Sequence, residues 1–294
     1  MSQNDGIHRL VTYFNNASVS LTQAAQEDYT HIILSFLTPD SSGGITLPWY
    51  LQSSSAPTYK GYIQTLQQAG KKVMISYGGG DVDNAYYIAA SHNIPALAAA
   101  IGFVVSEFGL DGVDIDYEDT NALSGSASAG YDGVSFMENL TDALYKVLDG
   151  KALSHAPQIP YVSNAVGQPH GRNGYIESYI PILQSVGTQI DWLNVQFYNN
   201  QDWNGAQNIL TLYKEIVAGW QGFQGWPADK MLTGMILSDS DGSGYVPLTQ
   251  FNSEVVAPLT QAYGNFGGVM GWQYSQDPQG TWAATLAETM GRSC

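Results

Sequence analysis

The sequence predicts an α/β protein built as a single (β/α)8 TIM barrel, and three observations carry that prediction. Eight strand-like runs alternate with helix-like runs along 294 residues, a length at which such barrels form one unit. No low-complexity linker divides the chain, so residues 1–294 read as one domain. Glu118, Tyr198, Trp272 and the glycines after Tyr77 all fall at the C-terminal ends of strand-like runs, where barrels of this kind hold their chemistry. A doubly wound sheet is the competing architecture, but the G-x-G-x-x-G turn it requires does not follow the first strand.

The first strand is 9–14 (RLVTYF), closed by Asn15 and Asn16, and the second is the apolar run 30–37 (THIILSFL). Pro39, Asp40 and the Ser-Ser-Gly-Gly stretch ending at Gly44 read as a loop. Tyr59, Tyr62, Ile63, Leu66 and Ala69 recur at helical spacing, with Gly70 as a C-terminal cap. The third strand, 71–77 (KKVMISY), runs into Gly78, Gly79 and Gly80, where backbone is free to approach a neighbour closely. The Lys and the Ser or Thr of a phosphate loop do not follow those glycines. An apolar helix over 95–108 leads through Gly109 into a fourth strand within 110–119, and an amphipathic helix covers 131–148. The fifth strand is predicted at 159–166, the sixth at 191–198 (DWLNVQFY), the seventh at 231–237 and the eighth at 267–274 (GGVMGWQY). Helices near 176–186, 208–220 and 251–263 separate these later strands.

The fourth strand carries the acids. In LDGVDIDYED, residues 110–119, side chains alternate faces, so Asp114, Asp116 and Glu118 share one face while Val113, Ile115 and Tyr117 share the other. At ~3.3 Å per residue the acidic row spans ~13 Å, the scale of one sugar unit with its two linkages. Like charges packed this closely in a cleft raise the proton affinity of at least one member, which keeps a carboxylic acid protonated near neutral pH. An acidic calcium loop is the rival reading, but such loops set oxygen ligands around a Gly turn instead of along an apolar strand. Asp111 has the opposite parity and belongs to the start of the strand. On the sixth strand Asn194, Gln196 and Tyr198 alternate with Leu193, Val195 and Phe197 in the same way.

A formal charge of −16, with only 10 Lys and Arg, argues against nucleic acid and anionic membrane as partners, since both need basic patches. A neutral ligand fits better, and 19 Tyr with 7 Trp offer aromatic faces for a sugar ring. The single cysteine, Cys294, excludes an internal disulfide framework, and His8, His31, His92, His155 and His170 lack ligand spacing. Neither a metal nor another cofactor is therefore expected, and the chain reads as a monomer. MSQNDGIHRL lacks the basic start and apolar run of a secretory signal, and no stretch reaches membrane-span length, so the chain reads as soluble as given. Its location is extracellular if a signal has been trimmed and cytoplasmic if the sequence is complete; sequons at Asn16 and Asn139 do not decide between them.

DGVDIDYE, residues 111–118, matches the D-x-x-D-x-D-x-E motif of glycoside hydrolase family 18, and ISYGGG resembles that family's S-x-G-G strand through Ser76, Gly78 and Gly79. VQFYNN, residues 195–200, resembles the sixth strand of hevamine-type chitinases, and GGVMGWQY resembles the family's eighth strand with its tryptophan. The resemblance spans the chain from first strand to last. It implies an endo-acting enzyme that cleaves β-1,4 bonds next to N-acetylglucosamine, with chitinase as the favoured reading. The alternative is an endo-β-N-acetylglucosaminidase that cuts the chitobiose core of N-glycans, because residues 238–248 (SDSDGSGYVPL) also resemble compact fungal enzymes of that kind. A chitin- or glycan-binding lectin is the third reading; members that only bind usually lack the glutamate or its preceding aspartate, and this chain has both.

The resemblance also implies roles. In this family the substrate's own acetamide is the nucleophile. Glu118 would then serve as general acid and later as base, and Asp116 would orient the acetamide, with Asp114 sharing a proton behind it. Tyr198 would hold the acetamide carbonyl and Trp272 would form the floor under the sugar, although a barrel cap and core packing are their bland alternatives. Gln196 and Asn194 would assist from the same face, and Tyr13, Phe36, Gly78 and Gly79 complete the substrate-binding candidates. Trp49, Tyr50, Trp203, Trp226 and Tyr245 are candidates for an aromatic track along the rim.

Overall fold

The computed structural model describes residues 8–16, 18–164 and 174–292. Eight parallel strands close into a barrel: β1 (Arg9–Phe14), β2 (His31–Pro39), β3 (Lys72–Gly78), β4 (Gly112–Asp116), β5 (Ala152–His155), β6 (Trp192–Gln196), β7 (Met231–Ile236) and β8 (Gly268–Trp272). Each pairs with the next, and β8 returns to β1. A two-residue strand, Ile45–Thr46, folds back antiparallel on the end of β2.

Helices cover the outside because their sequences are amphipathic and bounded. Helix Ile94–Phe108 buries Leu97, Ile101, Val104, Val105 and Phe108, and Gly109 ends it at φ 65°, a left-handed conformation that glycine adopts without strain. Helix Gly133–Leu148 starts where the Asp132 side chain accepts from the Ser135 amide, and it buries Phe136, Met137, Leu140 and Leu144. Between β1 and β2 a single 3-10 turn, Leu21–Gln26, replaces the helix.

Inside the barrel, Trp192 lies at the end where the strands begin. The Arg9 guanidinium stands 4.7 Å over its ring and the His31 ring meets it edge-on at 5.1 Å. The Trp192 Nε1 donates to Asn194 Oδ1 at 3.0 Å, which links this layer to the polar one above it.

The fifth strand corrects the sequence reading. It is Ala152–His155, and residues Ile159–Val162 form a 3-10 turn; residues 165 and 166 of the predicted run lie outside the described residues. Pro160 has no amide to give a sheet, so the apolar run packs as a buried loop instead. The true strand escaped notice because Ser154 and His155 are polar and point into buried hydrogen bonds, not an apolar face.

His155 gives a pH-dependent test of the fold. Its ring nitrogens meet the Tyr179 hydroxyl at 2.7 Å and Thr141 Oγ1 at 3.2 Å, and burial lowers its pKa from 6.5 to about 3. Between those values the unfolded chain binds a proton that the folded one refuses, so this group withdraws stability as pH falls. Relative to His155→Gln, wild type should lose about 2 kcal/mol between pH 7 and about pH 4.5, read from urea midpoints. Because only the difference is taken, the buried carboxyls cancel. A difference that does not change with pH would contradict this account of His155.

Candidate active site

Asp114 and Asp116 lie on β4 with the interior-facing parity, and Glu118 follows just beyond the strand. Asp114 is completely buried. Its carboxylate accepts four hydrogen bonds, from Tyr13 Oη (2.8 Å), Ser76 Oγ (2.9 Å), Ser154 Oγ (2.6 Å) and Asn194 Nδ2 (3.0 Å). Those donors come from β1, β3, β5 and β6, and Ser76 and Ser154 stand in register with Asp114 across the sheet. Burial pushes Asp114 upward, and the four donors oppose it by favouring the ionised form.

Asp116 stands beside Glu118 and receives Gln196 Nε2 at 2.7 Å. Its pKa is raised well above the carboxylate range, first by burial, then by the charges of Glu118 and Asp114. Two carboxyls side by side do not both ionise cheaply in a buried site, which is why the Asp116 carboxyl is raised. Glu118 Oε2 accepts from Gln158 Nε2 at 2.8 Å. Tyr198 is buried beside the pair, and its phenol is pushed up by that burial and then by Asp116, Glu118 and Asp114.

The backbone after β3 reaches this pair only because it lacks side chains. A Cβ on Gly78 would stand 2.1 Å from the Asp116 carbonyl oxygen, and its φ of +115° suits glycine alone. One on Gly79 would stand 3.1 Å from the Phe36 ring, and one on Gly80 would stand 3.2 Å from Glu118 Oε2. Trp272 stacks on Phe36 with centroids 5.7 Å apart and planes at 22°, and meets Tyr13 at 5.7 Å and 55°. Tyr13 therefore ties the ring cluster to Asp114, placing an aromatic wall beside the acids.

A sequence profile for glycosyl hydrolases family 18 matches residues 9–234. The chain belongs to this family. It is 34% identical to a GH18 chitinase from Pseudoalteromonas aurantia, over 96% of this chain and 99% of that one, with a TM-score of 0.85. A family GH18 chitinase from Chromobacterium violaceum shares the fold at 24% identity and a TM-score of 0.77, covering 99% of this chain and 86% of that one. Chitinase D of Niallia circulans is 26% identical across 84% of this chain but only 47% of its own length. The chain spans about half the length of this curated relative and of Chitinase Chi52 of Paenibacillus xylanexedens.

Within this family 18 barrel, the predicted residues fall into two neighbouring sets, Asp114 bonded by Tyr13 and Asn194, and Asp116 bonded by Gln196 beside Glu118, with Tyr198 buried against the acids. Three expectations change. The carboxyl charge that acts most on Asp116 is that of Glu118, ahead of Asp114, whose oxygens accept from four donors. Asn194 is fully buried with both ends of its amide engaged by Trp192, Asp114 and Tyr13, which puts it beneath the acids and away from a ligand. Tyr13 likewise points its hydroxyl at Asp114, and Gly78 and Gly79 are closed over by Asp116 and Phe36.

The rim track also loses members. Tyr50 is buried, its hydroxyl bonded to the Ser35 amide and carbonyl, both at 2.9 Å. Trp226 precedes β7, at the opposite end of the barrel, and donates to the Lys230 carbonyl at 2.8 Å. Trp49 and Tyr245 remain exposed, and Trp203 is half-buried. Asp111 does sit at the start of β4, taking the Val73 amide at 2.9 Å and the Lys72 ammonium at 3.3 Å. Asn199 has φ 57° and accepts the Ser243 amide at 2.8 Å, pinning the loop after β7 next to Tyr198. Sequence reasoning missed Ser154 and Gln158. Neither lies in an acidic or alternating pattern, and only barrel closure brings them to the acids.

Proposed function

We propose that this chain is an endo-acting chitinase: one catalytic domain that cleaves β-1,4 bonds beside N-acetylglucosamine with the substrate's acetamide as nucleophile. One observation carries this reading. Asp116 and Glu118 stand side by side, with the Glu118 charge acting directly on the Asp116 carboxyl, whereas a protein nucleophile and an acid straddling a glycosidic bond stand ~5 Å apart. On this reading Asp116 serves the acetamide, and the attacking atom comes from the sugar. Glu118 protonates the leaving oxygen and then activates water. Asp116 orients the acetamide and balances the positive charge that develops on it. Tyr198 donates to the acetamide carbonyl, and Trp272 is the floor beneath the ring. Asp114, held by four donors, supports the pair from behind.

The chitinase names of the similar proteins support chitin over an N-glycan as substrate. The test is parallel digestion of a chitin hexamer and a high-mannose glycoprotein, read by mass spectrometry. Shorter N-acetylglucosamine oligomers from the hexamer are expected. Intact glycans released from the glycoprotein with no cleavage of the hexamer would instead establish the glycan-directed activity.

A further inference from the structure

Gln158 and Gln196 stand opposite each other where β5 and β6 run out, joined by an isolated parallel bridge in which the Gln196 amide donates to the Pro157 carbonyl at 2.9 Å. Their side chains divide the acid pair between them. Gln196 Nε2 donates to Asp116 Oδ1 at 2.7 Å and Gln158 Nε2 donates to Glu118 Oε2 at 2.8 Å, so each carboxyl of the pair has one amide. Gln196 is braced a second time, by the Ala156 carbonyl at 2.9 Å. The titratable groups facing Glu118 are Asp116 on β4, Tyr198 beyond β6, Tyr87 on helix Asn84–Ser91 and Tyr161 beyond β5. None of these is cationic, and Gly80 leaves the wall at Glu118 Oε2 without a side chain.

We propose that Gln158 is a positioning residue for the general acid. It fixes the Glu118 rotamer from a neighbouring strand end and limits how tightly the Asp116–Glu118 pair keeps its proton. An amide N–H donated to a carboxyl oxygen favours the ionised form, so this contact eases proton release to the leaving oxygen, while Gln196 does the same for the other member. The inference rests on the proposed role of Glu118.

The experiment uses the whole chain and acetylated chitin oligomers, with pH profiles of kcat/KM for wild type, Gln158→Met and Gln158→Glu. Methionine keeps the length and loses the donor. It should lower kcat about 10-fold with KM changed less than about twofold, and move the alkaline limb to higher pH by roughly half a unit. Glutamate at the same position should move that limb in the same direction and further, because it adds a like charge, and it keeps the test in force if the methionine variant fails to fold. A fall in kcat with the alkaline limb unmoved in both variants would make Gln158 merely structural and overturn the proposal, as would wild-type kinetics in both. Wild type that cuts no acetylated oligomer at all would instead remove the chitinase reading and this inference with it, so the two failures are distinguishable.

Discussion

Glu118→Gln should lower kcat/KM on chitin oligomers by about 10³-fold or more, while the affinity for the same oligomers stays within a few-fold of wild type. The amide keeps the size of the carboxyl and still accepts the Gln158 hydrogen bond, so the barrel has no reason to rearrange. What it loses is a transferable proton. A sugar alkoxide is a poor leaving group and depends on that proton, whereas a nitrophenolate departs without it. The loss on a nitrophenyl N-acetylglucosaminide should therefore be smaller than the loss on the oligomer, a pattern that separates acid catalysis from general damage. Binding is read by calorimetry, and a wild-type barrel that binds without cutting would reveal a lectin. Wild-type turnover in Glu118→Gln would show that the acid lies elsewhere.

The second large effect comes from the substrate. Oligomers with a 2-hydroxyl in place of the acetamide should be cut at least about 10⁴-fold more slowly, because the attacking oxygen is gone and Asp116, in contact with Glu118, is not placed across the bond to replace it. A thiazoline made from N-acetylglucosamine copies the cyclised intermediate and should bind about 100-fold tighter than the parent sugar. Its site is the one formed by Asp116, Tyr198 and Trp272, so Tyr198→Phe should weaken the thiazoline more than it weakens the sugar. Comparable rates on cellulose and chitin oligomers would rule out acetamide participation.

The period-two patterns in residues 110–119 and 191–198 made the strands, their polar faces and the order of the acids legible without any tertiary information, because alternation is a local property of an extended chain. The same rule set aside Asp111 and picked out Gln196 and Tyr198. Strand β5 defeated it: Ser154 and His155 look like loop residues until the barrel supplies Asp114, Thr141 and Tyr179 as partners. Which acid acts most strongly on Asp116 was equally out of reach, since spacing along one strand treats Asp114 and Glu118 alike as its neighbours. Closure of the barrel decides it. Closure surrounds Asp114 with four donors from four other strands and leaves Glu118 as the partner of Asp116. It also sends Trp226 to the far end and brings Gln158 to the acid. The chain by itself determined which residue types alternate and in what order; the closed sheet alone decided which of them meet, because those contacts join distant positions, Tyr13 and Asn194 being 181 residues apart.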